Sequence, residues 1–297
     1  MTTAAQKFAQ RNRNTIFVED GALLSVDEFP GDQFIMRIRS PKCAAAAKPG
    51  SFVHVSCDAT LPMRRPLSIM RVEDDCIDVL YKIVGDGLRW LSAKRPGDSI
   101  SVLGPIGQPF RPSAERPNTL LLGGGVGIPP MVFLAEFLRL NPDTWSPLAI
   151  FGSELPFPFE LKASSIDTAW LDPNVNATMP LLESWGIPCR LVTLAGFEHC
   201  FDGYVTDLAE LWLSSLPASE RAKTEVFACG PTPMLKAVAA LAAKYDLPCQ
   251  VSLEEFMACA VGGCAGCAVK INTPDGPAMK RVCVDGPVFR ASDVVWQ

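Results

Sequence analysis

Four cysteines crowd the C-terminal part of the chain, in the segment MACAVGGCAGCAVKINTPDGPAMKRVC. Cys259, Cys264, Cys267 and Cys283 are separated by four, two and fifteen intervening residues. This order, C-x4-C-x2-C followed by a distant cysteine, is the spacing of plant-type ferredoxins, which hold a 2Fe-2S cluster. The spacing therefore predicts a metal centre. Because this segment has few apolar runs of its own, we expect something other than a hydrophobic core to organise the segment.

Glycines within the loop favour the iron-sulfur interpretation over its alternatives. Gly262, Gly263 and Gly266 lack a Cβ, so backbone amides can approach sulfur atoms closely there. A structural zinc site more often pairs its ligands in two short knuckles, and unliganded thiols are a third alternative. The remaining cysteines are scattered, and we predict that most are small buried hydrophobic residues: Cys43, Cys57, Cys76, Cys189, Cys200, Cys229 and Cys249.

Composition limits the class of protein. The 297 residues are 48% hydrophobic and 20% charged, which is typical of a globular chain of two domains with a small third one. A net charge of -5 without Lys/Arg runs argues against nucleic acid and membrane surfaces as partners. The N-terminus lacks an apolar signal core and no stretch holds eighteen uninterrupted apolar residues. These features predict a cytoplasmic protein.

Hydrophobic patterning divides the chain into parts of different texture. Short apolar runs separated by Pro/Gly turns predict N-terminal antiparallel strands in a barrel or a sandwich, of which we expect the β-barrel. Buried strands alternating with helices then predict a parallel-sheet, Rossmann-like α/β domain. A small cluster-binding domain ends the chain. The predicted boundaries are a flexible extension at 1–13, the barrel at 14–112, the α/β domain at 117–250 and the cluster domain at 251–297.

A 2Fe-2S cluster cannot exchange hydride, so a flavin is the expected companion, since it splits two electrons into single steps. In the barrel, MRRPLSIM places Arg65 and Ser68 on one strand, and YKIVGDGL supplies Tyr81, Lys82 and Gly87. A cation and a glycine turn suit a pyrophosphate. An ordinary strand followed by a turn is the alternative.

Two glycine-containing turns in the α/β part could hold a dinucleotide. GGGVGIPPM follows an apolar strand and opens a helix, where backbone amides can receive phosphate. FACGPTPML places Cys229 at the end of another strand, where open α/β sheets bind their ligands. Close packing at both turns is the alternative. Only His54 and His199 are present, and His54 in FVHV is interpreted as a sheet residue rather than a catalyst.

In this order, RPLS, GGGVGIPP and CGPTPM resemble the ferredoxin-NADP reductase superfamily. LEEFMACAVGGCAGC and KRVCVDGPVF are similar to the electron-transfer subunits of the class 1B, NAD-dependent dihydroorotate dehydrogenases. The resemblance implies a front domain that binds FAD and a second domain that binds NAD. It covers nearly the whole chain from residue 14.

The resemblance also implies site residues. Ser68, at the reactive edge of the flavin, and Cys229, beside the nicotinamide, would be the catalytic pair. The implied flavin site comprises Arg65, Pro66, Leu67, Ser68, Tyr81, Lys82, Ile83, Gly87 and Leu88, where Leu88 replaces the family's usual threonine. The implied nicotinamide site comprises Gly123, Gly124, Gly125, Gly127, Cys229, Gly230 and Pro231. The cluster ligands would be Cys259, Cys264, Cys267 and Cys283.

The implied function is electron transfer in pyrimidine biosynthesis. An FMN-containing dihydroorotate dehydrogenase catalytic subunit would pass electrons through the 2Fe-2S cluster and FAD to NAD, in a heterotetramer of two subunits of each kind. The alternatives are a reductase subunit of a hydrogenase or of a ferredoxin-dependent transhydrogenase, and a non-enzymatic zinc-stapled binding protein. Residues 155–180 are longer than the family leads us to expect, which leaves the preference for NAD over NADP open.

Overall fold

The computed structural model describes residues 15–58 and 60–296. The predicted extension at 1–13 lies outside the described residues. Within the described ranges, no helix combines the length and apolar character needed to cross a membrane.

Strands and helices are numbered along the chain. The strands are β1 Phe17–Phe29, β2 Gln33–Arg39, β3 Phe52–Val55, β4 Arg65–Glu73, β5 Cys76–Lys82, β6 Ser99–Ile106, β7 Asn118–Gly124, β8 Ser146–Gly152, β9 Lys162–Ala163, β10 Ala177–Thr178, β11 Cys189–Thr193, β12 Phe201–Asp202, β13 Thr224–Cys229, β14 Cys249–Ser252, β15 Ala268–Thr273, β16 Gly276–Arg281 and β17 Val288–Arg290. The helices are α1 Pro41–Ala46, α2 Asp86–Ser92, α3 Ile128–Leu138, α4 Pro180–Ser184, α5 Val205–Ser215, α6 Ala218–Arg221 and α7 Thr232–Lys244, with a short 3-10 turn at Gly125–Gly127.

The first six strands close into an antiparallel barrel in the order β1-β2-β5-β4-β3-β6. Alternate side chains point inward, so Val53 and Val55 of β3 lie in the barrel core with Leu67 of β4. Phe52 points the other way and packs in a second core that the barrel shares with the rest of the molecule. The short apolar runs predicted antiparallel strands in a barrel or a sandwich, and the expected barrel is confirmed.

The second part is a seven-stranded sheet in the order β12-β11-β8-β7-β13-β14-β17. Its strands are parallel except for β17, which runs antiparallel to β14. The central strands are buried on both faces, as continuous apolar runs such as LLL in β7 predict. Because parallel strands end at one edge, Gly123 of β7 lies beside Cys229 of β13. The predicted parallel sheet is confirmed, and its carboxyl edge is where ligands of such sheets bind.

The long segment 155–180 lies along the sheet and carries the two-stranded ribbon β9–β10. Arg190 of β11 binds this segment, and its side chain is buried. The Arg190 Nη2 donates to the Ile166 carbonyl at 2.7 Å and to the Thr168 hydroxyl at 2.8 Å. Glu183 accepts from the hydroxyls of Ser164 and Ser165. Arg190 thus holds the segment to the sheet, and Glu183 holds it to helix α4.

The cysteine-rich tail is built into the body of the molecule. After the hairpin β15–β16, the chain returns as β17 and pairs with β14. Met257, Ile271 and Val282 are buried in one core with Phe52 of the barrel and Leu122 of β7. The expectation that something other than a core organises this tail is therefore wrong in part, because its isolated apolar residues join a core formed by the two other parts.

Candidate functional site

The four tail cysteines lie in two pairs. The Cys264 amide donates to the Cys259 Sγ at 3.4 Å, and the Cys267 and Cys283 sulfurs are 3.4 Å apart. Between residues 15 and 296, leaving out residue 59, no three His, Cys, Asp or Glu side chains are close enough to hold a single metal ion. A 2Fe-2S cluster uses four cysteines for two irons, so two pairs match two thiolates for each iron.

The backbone of the cysteine loop wraps around the sulfur atoms. Ala260 and Ala265 adopt left-handed conformations, with φ of 54° and 56°. This curvature lets the Gly266 amide donate to the Cys264 Sγ at 3.4 Å. A Cβ on Gly266 would lie 3.6 Å from the same sulfur. That distance is an ordinary contact, so the loop's fit to a cluster rests on the amide donors that it presents to the thiols.

The two pairs differ in their electrostatics. Burial acts to raise the pKa of Cys259, but the amides of Cys264, Val261 and Gly263 outweigh it and lower that pKa to about 7. For Cys283, burial raises the pKa to about 12, and the neighbouring Cys267 adds to the rise. Metal ligands must lose their protons, so metal binding here would release a proton from Cys283.

In the barrel, Arg65 of β4 meets the first turn of α2, where the structure places Gly87. The guanidinium packs directly on Gly87, where an added Cβ would lie 2.8 Å from Nη2. Its Nη1 donates to the Met63 carbonyl at 2.9 Å. The structure thus brings the predicted cation and the predicted glycine turn together, which is the arrangement a pyrophosphate needs.

The other predicted flavin residues fall into two groups. The side chains of Leu67, Tyr81 and Leu88 belong to the barrel core, so they could face a cofactor only through their backbone. Tyr81 stacks on Phe34 with ring centroids 5.5 Å apart. The side chains of Pro66, Ser68, Lys82 and Ile83 are half-buried, and Ile83 packs against the barrel core.

The predicted nicotinamide loop contacts the predicted CGP turn. A Cβ on Gly127 would overlap the Cys229 carbonyl and the Gly230 amide, so only glycine fits there. Gly124 lies similarly close to Met234 and Pro231. Gly125 differs, because its φ is +53° and nothing lies within 4 Å of an added Cβ. Close packing thus accounts for Gly124 and Gly127, whereas the space beside Gly125 is open to a ligand.

Cys229 has an acidic neighbour that the sequence reasoning missed. Its thiol is buried at the end of β13, and burial, followed by the nearby Glu254, raises its pKa. Glu254 itself is exposed as a whole residue, and partial burial of its carboxyl raises its pKa. The pairing of Cys229 with Ser252, two residues before Glu254, explains why the two groups meet.

Comparison with known proteins gives consistent results. The family model of the iron-sulfur cluster binding domain of dihydroorotate dehydrogenase B matches residues 254–295. The "Dihydroorotate dehydrogenase B (NAD(+)), electron transfer subunit" of Caldanaerobacter subterraneus subsp. tengcongensis is 32% identical over 249 residues, which cover 84% of this chain and 87% of the relative. The protein of the same description from Desulforamulus reducens is 31% identical, and the match covers 94% of this chain and 99% of the relative.

A solved structure supports the same architecture. A chain from the structure described as the NADH-dependent reduced ferredoxin-NADP oxidoreductase, studied for flavin-based electron bifurcation, superposes with a TM-score of 0.74 at 25% sequence identity. The superposition covers 94% of this chain and 90% of that one. The barrel, the parallel sheet and the tail therefore occur together in another oxidoreductase.

Proposed function

Because this chain belongs to the family of dihydroorotate dehydrogenase B electron transfer subunits, we propose that it carries electrons between an FMN-containing catalytic subunit and NAD. The observation that carries the proposal is the arrangement of the four tail cysteines in two pairs. The tail that holds them packs in one core with residues of the barrel and of the seven-stranded sheet. The three sites are thereby held in one body, which is what stepwise electron transfer requires.

The residues of this chain have distinct tasks in the proposed reaction. Bound FAD would supply the conversion between the single electrons of a 2Fe-2S cluster and the hydride of NAD. Arg65 and the Gly87 turn would hold the flavin pyrophosphate, and the open backbone at Gly125 would receive the dinucleotide phosphate. Cys259, Cys264, Cys267 and Cys283 would ligate the two irons.

Cys229 and Ser68 would define the place of hydride transfer. The buried Cys229 thiol stays protonated at neutral pH, since burial and Glu254 raise its pKa. It would therefore act as an uncharged packing surface for the nicotinamide ring rather than as a nucleophile. Hydride transfer depends on the stacking of two rings, so a shortage of acid and base groups fits this chemistry.

The tail also offers a surface for the catalytic partner. Cys264 is exposed whereas Cys267 and Cys283 are buried, so one edge of the cluster would face outward. Phe256, three residues before the first ligand, is 95% exposed, and Val261 within the loop is half exposed. Apolar side chains beside the exposed ligand suit a protein interface through which single electrons cross. We place this exchange in the cytoplasm, in a heterotetramer of two copies of each subunit.

A second function is favoured by one observation, the superposition on the ferredoxin-NADP oxidoreductase chain. This chain would then be the reductase subunit of a ferredoxin-dependent transhydrogenase or of a hydrogenase. Cys259 opposes this, because the transhydrogenase subunits that resemble this chain commonly carry aspartate at the first ligand position.

The test of the proposed function is reconstitution with and without the partner. The purified chain is expected to contain about two irons and two acid-labile sulfides, to reduce dyes with NADH, and not to oxidise dihydroorotate. Addition of the FMN subunit should produce dihydroorotate-dependent NAD reduction. Stoichiometric zinc without sulfide, or dihydroorotate oxidation by the chain alone, would contradict the proposal. Use of NADPH in place of NADH would contradict the proposed role of NAD as the electron acceptor.

Arg65→Ala is expected to weaken FAD binding by about ten- to a hundred-fold, because hydrogen bonds to charged groups are worth ~1.5–3 kcal/mol. The loss is measured by flavin titration of the deflavinated protein. Arg89→Ala is the matched control, because it removes the same charge from an exposed position on α2. Equal FAD affinity in the Arg65 variant and the wild type would place the pyrophosphate elsewhere.

A further inference from the structure

His54 is the one histidine that lies between the proposed flavin site and the tail. It belongs to β3 and shares the outer face of that strand with Phe52, which packs in the same core as Met257. Across the β3–β4 pairing, His54 lies opposite Pro66 of the RPLS strand. The imidazole is therefore next to the predicted flavin-lining strand on one side.

The other side of the ring faces the tail. The backbone of Met257, two residues before Cys259, lies beside the imidazole, as does the backbone of Arg64. Among the residues that the structure describes, neither ring nitrogen of His54 has a hydrogen-bond partner. The ring thus separates β4 from the segment that leads into the cysteine loop.

The ring is a buried polar group with both of its nitrogens unsatisfied. His54 is only 1% exposed, and burial, with the charge of Arg64 as the next cause, lowers its pKa to about 4. It is therefore a neutral imidazole at pH 7, with one N–H donor and one acceptor nitrogen. Buried polar groups in proteins nearly always have partners, so an orphaned pair of nitrogens indicates a bond that forms in the loaded protein.

We propose that His54 is the positioning residue that ties the cluster segment to the flavin-lining strand, through a hydrogen bond from its ring to the Met257 carbonyl that forms when the cofactors are bound. The acceptor nitrogen would take a hydrogen bond from a buried water. The bond would fix the distance between the two redox groups. This inference rests on the proposed function, since it concerns the same pair of sites.

Two substitutions and a control test the role of the ring. His54→Leu keeps the approximate volume and removes both nitrogens, whereas His54→Asn keeps a donor and an acceptor. Val53→Ala is the control, because Val53 is the adjacent residue and points into the barrel core instead of toward the tail. Iron, sulfide and FAD are first measured in each variant, and the thermal unfolding midpoint records general destabilisation.

The decisive readouts are the rate at which NADH-reduced protein passes electrons on to the cluster, followed by stopped-flow absorbance, and the EPR spectrum of the reduced cluster. His54→Leu is expected to keep both cofactors, to slow cluster reduction about tenfold or more, as losses of outer partners do at metal sites, and to change the EPR spectrum. His54→Asn should restore most of the rate. Val53→Ala should lower the unfolding midpoint and change neither readout.

Two results would overturn the inference: wild-type rate and EPR spectrum in His54→Leu, or equal slowing in Val53→Ala. If His54→Leu loses its cluster, the His54→Asn variant decides between the alternatives. A cluster retained in His54→Asn with a near-normal rate supports the hydrogen bond. Loss of the cluster in both variants contradicts it. Failure of the proposed function would look different, because the wild-type protein would then lack the cluster or the flavin from the outset.

Discussion

Replacing Cys267 with serine is expected to abolish electron transfer from the proposed catalytic partner to NAD while sparing much of the NADH-dependent dye reduction. The Cys267 thiol is buried and its sulfur lies 3.4 Å from that of Cys283, so its loss removes one thiolate from the inner pair. A serine hydroxyl is a harder ligand than a thiolate and holds iron in such clusters poorly. Dihydroorotate-dependent NAD reduction should fall to about a hundredth or less of the wild-type rate.

Dye reduction serves as the internal reference, because it needs only the flavin and dinucleotide sites. Cys200→Ser is the matched control: this partly buried thiol packs beside the sheet, outside the cysteine loop, and its loss should leave both activities unchanged. Normal turnover of the Cys267 variant in the complex would exclude an electron path through the cluster. Loss of dye reduction as well would mean that the tail is needed for the fold of the flavin site.

The fold was predictable where one short-range pattern decides the outcome. The short apolar runs FVHV and IDVLYK predicted strands, and the continuous run LLLGG predicted a buried strand. The family was predicted from the cysteine spacing and the RPLS, GGGVGIPP and CGPTPM segments, and the relatives confirm it.

The contacts between distant segments could not be predicted from these patterns. The return of β17 to pair with β14 depends on three residues at the end of the chain, too few to carry a pattern. Glu254 meets Cys229 only because β13 and β14 are neighbours in the sheet, although 25 positions separate the two residues in the chain. The apolar run FVHV did place His54 in a sheet, but it could not show that the ring faces the tail.

The candidate site was predictable where its residues are close in the sequence, and less so where distant segments meet. The cysteine loop is local, so its spacing in the sequence determined which thiols could converge. The contact between Arg65 and Gly87 joins strand β4 to helix α2, and only the folding of the barrel brings them together. The sequence suggested a cofactor role for Tyr81, but the period of two in β5 turns its ring into the barrel core.

Phe256→Glu is expected to weaken binding of the catalytic subunit by at least thirtyfold, because apolar anchors at the centre of interfaces contribute about 2 kcal/mol or more. A carboxylate at this position would also have to lose its water on docking. Since Phe256 is 95% exposed, the substitution should leave the fold, the FAD content and the dye reduction of the isolated chain unchanged. Binding is measured by titration calorimetry with the purified FMN subunit.

Leu140→Glu is the control, because Leu140 is also well exposed but follows α3 in the nucleotide sheet domain rather than the tail. If docking occurs at the tail, only the Phe256 variant should lose affinity, and its turnover should recover at high partner concentration, since every cluster ligand is intact. Turnover that stays low at saturating partner would instead assign Phe256 to the electron path. Equal affinity in both variants would move the partner to another surface, and the exposure of Cys264 would then need a different explanation, such as a small diffusible electron carrier.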